Sequence, residues 1–95
     1  MITIATVCGM GLGTSMMLAM QVRQLMKDEG IDARVNPVDL GSFKAQPADI
    51  VVTTTAMGHQ VAGTTAKVVL IDNLIDRQHV KARVMEAVDA FRAGE

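Results

Sequence analysis

The chain has 95 residues, 49% of them apolar, enough for one hydrophobic core and too few for two, so a single domain spanning residues 1–95 is expected. Nine basic residues stand against ten acidic ones without any block of like charge, and only 2% are aromatic, which excludes the basic footprint and stacking platform of a nucleic-acid binder. The apolar runs are strand-sized, one cysteine forms no intrachain disulfide or cysteine zinc cluster, and two histidines lack companion ligands, so no membrane span, metal or cofactor is expected.

The N-terminal stretch lacks the basic flank of a signal peptide and runs directly into a glycine motif, so it reads as a first strand, Ile2 to Val7, of a cytoplasmic protein. A helix is predicted from about Thr14 to Glu29 and ended by Gly30, with Leu18, Val22 and Leu25 sharing the face that packs on a sheet. Met16 and Met20 then fall on the opposite side with Arg23 and Lys27, and Met17 on a flank with Gln24 and Asp28. Further strands are predicted at Ala33 to Val38, Ile50 to Thr54 and Val68 to Ile71. The segments between them, Leu40 to Lys44 and Met57 to Gly63, allow only short helices, and Pro47 limits the first. The last helix begins near Asp76, a suitable N-cap, with Ile75 and Val80 placed to staple its start and Val80, Val84, Val88 and Phe91 as its buried stripe. Strands alternating with helices indicate the α/β class: a parallel sheet covered on both faces, with right-handed crossovers.

The stretch Cys8-Gly9-Met10-Gly11-Leu12-Gly13-Thr14-Ser15 follows a strand directly and precedes a helix. Glycines at alternate positions let the backbone turn successive N–H groups inward, and the helix start adds its unpaired N–H groups and the positive end of its dipole. The result is a phosphate-sized anion site formed by residues 9–15, whose field also favours a thiolate, the nucleophilic form, at Cys8. A dinucleotide fingerprint would need a small residue where Thr14 stands, and a nucleotide-triphosphate loop would need a lysine before Ser15. Neither is met. On residue type alone Cys8 also fits a small buried hydrophobe.

The strand, this loop and the methionine-rich helix resemble the B component of enzyme II in the bacterial phosphotransferase system, most closely its ascorbate-type branch. The similarity extends over the chain's length and element order and includes the apolar third strand Asp49-Ile-Val-Val-Thr-Thr-Thr55. The resemblance implies a three-layer α/β/α fold with a four-stranded parallel sheet in the order 2-1-3-4, and a phosphocysteine intermediate at Cys8. The phosphoryl group would come from a phosphohistidine of the A component and leave to a sugar held by the membrane-embedded C component, bringing the chain transiently to the inner face of the membrane.

The same fold resembles the low-molecular-weight tyrosine phosphatases, whose loop is a cysteine, five residues and an arginine. Here that last position is Thr14, so neutral N–H donors and the Thr14 and Ser15 hydroxyls replace a guanidinium, which weakens stabilisation of a hydrolytic transition state. Asp72 and Asp76 read equally as solvated or capping, so no clear acid for a leaving alcohol emerges. A carrier benefits from both absences, because its phosphocysteine must outlast contact with water.

The 2-1-3-4 order opens a crevice between strands one and three, beside which Thr53, Thr54 and Thr55 offer hydroxyls to the phosphoryl group or the loop. Met10, Leu12, Met16, Met17 and Met20 would rim the loop as a partner-docking surface of adaptable thioethers and one leucine. His59, near the crevice, and His79, in the first turn of the last helix, read as exposed polar residues. Three other functions remain consistent with the loop: a cysteine-dependent phosphatase, a regulatory domain that binds anions without covalent chemistry, and a thiol redox role weakened by the lack of a second cysteine.

Overall fold

In the computed structural model the elements are β1 (Ile2–Val7), α1 (Leu12–Asp28), β2 (Ala33–Val38), β3 (Ile50–Thr54), α2 (Gly58–Val61), β4 (Lys67–Ile71) and α3 (Arg77–Arg92). The structure describes residues 2–7, 12–38, 48–55, 58–61, 66–72 and 76–93, without the side chains of residues 12–15 and 60. The four strands form one parallel sheet in the order β2-β1-β3-β4 that the resemblance implies. β1 is central, and its last residue, Val7, stands level with Val38 on one side and Thr53 on the other.

Side chains alternate between the two sheet faces. Ile2, Ile4, Ile50, Val52, Val69 and Ile71 meet Leu18, Val22 and Leu25 of α1 and Val80, Val84 and Val88 of α3. Phe91, half-buried, completes the α3 stripe. On the opposite face Ala5, Val7, Val38 and Val51 pack with Val61 of α2. The three layers follow from this division: burying each of these valine, leucine and isoleucine side chains contributes about 1.5–3 kcal/mol, and a central parallel strand gains it on both faces.

Helix ends show where local chemistry decides. α1 starts at Leu12, two residues before the expected Thr14. Residues in a first turn need no acceptor four positions back, so Gly13 is tolerated there. α1 ends at Asp28, one residue short of expectation, because the chain turns through Glu29 and Gly30. The Gly30 N–H donates to the Lys27 carbonyl at 3.2 Å and the Ile31 N–H to that of Met26 at 2.8 Å, with Gly30 at φ 68°. This is a Schellman stop, which requires a left-handed residue. α3 starts as expected from Asp76, whose Oδ1 accepts from the N–H groups of Gln78 and His79, both at 3.1 Å. β4 begins at Lys67, one residue early, because the Lys67 N–H donates to the Asp49 carbonyl at 3.1 Å. α2 occupies four residues within Met57 to Gly63. Ile75, Pro47 and the Leu40 to Lys44 segment lie outside the described residues.

A Cβ at Gly30 would meet no heavy atom within 4 Å, so substitution there tests backbone conformation alone. Gly30→Ala should lower the unfolding free energy in urea by about 1–2 kcal/mol, and Gly30→Asn by less, because asparagine tolerates the left-handed region.

Candidate functional site

Because the strands are parallel, Val7, Val38, Thr54 and Ile71 end on one edge of the sheet. At that edge the chain leaves β1 for α1 on one face, and leaves its neighbour β3 for α2 on the other. Adjacent strands whose connections part in this way open a crevice between them, the usual ligand position in α/β sheets. Residues 8–11 join Val7 to Leu12 here. Cys8, Gly9, Met10 and Gly11 lie outside the described residues; Leu12, Gly13, Thr14 and Ser15 are the first turn of α1. That turn contains no acidic residue to offset the positive end of the helix dipole.

Thr53 is fully buried, and its hydroxyl donates to the Val7 carbonyl at 2.7 Å. Its hydrogen is thereby committed to β1 instead of facing a ligand in the crevice. Thr54 is half-buried, and the exposed Thr55 donates its hydroxyl to the Asp72 carboxylate. Asp72 in turn donates its N–H to His79 Nε2 at 3.2 Å. His79 is therefore not the exposed polar residue expected from sequence: half-buried, it ties the first turn of α3 to the end of β4. Asp76 serves as a cap, and His59 is exposed on α2. Among the described residues no group of three or more histidine, cysteine, aspartate and glutamate side chains is placed to hold a metal ion, and no helix is long and apolar enough to cross a membrane.

Met16, Met17 and Met20 are 52%, 45% and 65% exposed, as the helical spacing predicts. Met17 and Met20 line, with Leu25 and Val80, a groove of about 740 Å³ between α1 and α3, with Arg77 and Lys81 on the α3 side. The Met10 and Leu12 side chains lie outside the described residues. Arg23 shares the exposed side with Met16 and Met20, but its Nε and Nη2 donate to the Val35 carbonyl at 2.9 and 2.7 Å. The helical wheel ranks positions by angle and misses this reach of a long side chain back to the edge strand. The bond of Thr53 to β1 was also unforeseen, although a hydroxyl at the inward position after Val51 was a usable signal: a buried polar group requires a partner.

The sequence matches the family described as PTS system, Lactose/Cellobiose specific IIB subunit, over residues 3–86. The chain belongs to this enzyme II B family of the phosphotransferase system. Among similar proteins, the ascorbate-specific PTS system EIIB component of Mycoplasma pneumoniae is 32% identical, covering 82% of this chain and 85% of that protein. Proteins of the same name from Shigella boydii and Escherichia coli are 29% identical, covering 94% of this chain and 91% of theirs. Membership gives this EIIB chain a phosphotransferase role in general, alongside the other components of such a system.

The Asp76 cap holds the start of α3 at the edge that carries the crevice. Asp76→Ala should cost about 1 kcal/mol in thermal or urea unfolding and speed amide exchange at Gln78 and His79, whereas Asp76→Ser should retain most of the stability.

Proposed function

We propose that this EIIB chain carries a phosphoryl group on Cys8 and passes it to an ascorbate-like carbohydrate. The reading rests on one placement: in a member of the EIIB family, the sole cysteine directly follows the central strand and lies four residues before the N-terminus of α1. The Cys8 thiolate attacks the phosphorus of a phosphohistidine on the A component; the S–P bond forms as the N–P bond breaks, and the imidazole leaves. A hydroxyl of the sugar bound by the C component then attacks phosphorus, the S–P bond breaks, the thiolate returns, and the hydroxyl proton passes to a base in the acceptor complex. Backbone N–H groups of residues 9–15 and the Thr14 and Ser15 hydroxyls hold the transferring oxygens.

The family description names lactose and cellobiose, whereas the relatives name ascorbate. The relatives weigh more for the acceptor, because each is an individual protein with its own named specificity, whereas the family description is shared by a whole family. Exchange between two partners takes place on the cytoplasmic side, with the chain reaching the membrane through the C component. The exposed thioethers of Met16, Met17 and Met20, with Met10 and Leu12, serve as the docking surface, since flexible apolar groups adapt to two surfaces in turn.

Incubation with phosphoenolpyruvate, the general phosphotransfer proteins and the cognate A component should add one phosphoryl group by intact mass, and none to Cys8→Ser. A modified Cys8→Ser protein would overturn the assignment. With Thr14 in place of a guanidinium, the isolated chain should not turn over an aryl phosphate at steady state.

The double variant Met16→Ser/Met20→Ser should slow transfer from the A component by about tenfold, roughly 1.4 kcal/mol, with an unchanged circular dichroism spectrum and unfolding midpoint. Unaltered transfer rates would remove the docking role.

A further inference from the structure

Thr53 occupies a position where the alternation of β3 calls for an apolar side chain. The buried apolar cluster on that face is Ala5, Val7, Val38, Val51 and Val61. Valine has nearly the same shape and would fill the site without the desolvation cost that a hydroxyl incurs. The hydroxyl is fully buried and makes a bond of 2.7 Å to Val7, 46 residues away in sequence. Val7 is the last residue of β1, and the acceptor is the carbonyl of its peptide bond to Cys8. Peptide groups are planar, so holding this oxygen sets the plane in which the chain leaves the sheet.

We infer that Thr53 is a positioning residue for Cys8, holding the peptide that precedes it so that the thiolate meets the anion site and the incoming phosphorus in line. The inference rests on the carrier reading for its phosphoryl-transfer consequence, and on the bond to the Val7 carbonyl for its effect on the thiol that follows. Thr53 touches neither substrate nor phosphoryl group: its proton is committed to the Val7 carbonyl. A tenfold effect from so remote a group is in scale, because misplacing a reacting atom by about 1 Å costs as much as a hundredfold in rate.

The test uses the full chain as Thr53→Val, Thr53→Ala and Thr53→Ser. Two readouts apply: the single-turnover rate of phosphoryl transfer from the phosphorylated A component, and the pH profile of iodoacetamide alkylation, which reports on Cys8 because the chain has no other cysteine. Thr53→Val should slow transfer by about tenfold and move the alkylation midpoint to higher pH, as the thiol loses its place beside the donors of the loop and helix start. Thr53→Ser, which keeps the hydroxyl and gives up a methyl group, should restore both readouts even though it opens a small cavity. Should the valine variant fail to fold, Thr53→Ala removes the same hydroxyl and reads identically.

Wild-type behaviour in Thr53→Val, or equal defects in the valine and serine variants that follow their losses of thermal stability, would overturn the inference in favour of simple packing. A wild-type chain that accepts no phosphoryl group would instead sink the carrier reading. The alkylation profiles would still decide the role of Thr53.

Discussion

The arrangement depends on burying β1 between two parallel partners. Five of its six residues are buried, and β2 and β3 pair with it on either side. A strand enclosed in this way has few alternative positions: slipping its register by one residue would exchange Ile2 and Ile4 with Ala5 and Val7 between the two layers. Val7, the last residue of β1, is accordingly paired on both sides, with Val38 and with Thr53.

On one face α1 and α3 supply Leu18, Val22, Leu25, Val80, Val84 and Val88. On the other, the described residues are alanines and valines around the single turn of α2. A buried hydrogen bond can direct backbone orientation in a way that non-directional apolar contact cannot. Thr53 supplies such a bond on the face that carries α2, at the end of β1.

Most of the framework was legible because its signals are periodic. Val and Ile runs bounded by turn residues located β1, β2 and β3 to the residue, and spacings of three and four identified the buried stripes of α1 and α3. Gly30 and Asp76 marked helix ends through chemistry that residue type nearly dictates. What escaped was long-range or one residue deep. The early start of β4 depends on an Asp49 carbonyl that a local reading cannot bring alongside Lys67. The Arg23 grip on β2 and the Thr55, Asp72 and His79 chain join elements whose proximity exists only in the folded sheet. The glycine loop is a different case. Composition and placement give an expectation for its chemistry, residues 8–11 lie outside the described residues, and the structure adds that the chain from Leu12 onward is already helical.

That earlier helix start bears on how an anion would be held. Residues 12–15 are the first turn of α1, so their N–H groups are oriented by the helix itself, and residues 9–11 complete the set of donors in the proposed site. Most of the donors in the proposed site would then be set before any phosphoryl group arrives, and would require little reorganisation when charge accumulates on its oxygens. Such a site binds an anion by geometry and partial charges, with no full positive charge from arginine or lysine between Cys8 and Ser15. Partial charges hold a phosphoryl group less tightly than a guanidinium would and do less to promote attack by water. Both properties favour a group that must be passed on intact. In the proposed carrier role, release would then fall to the acceptor's own site.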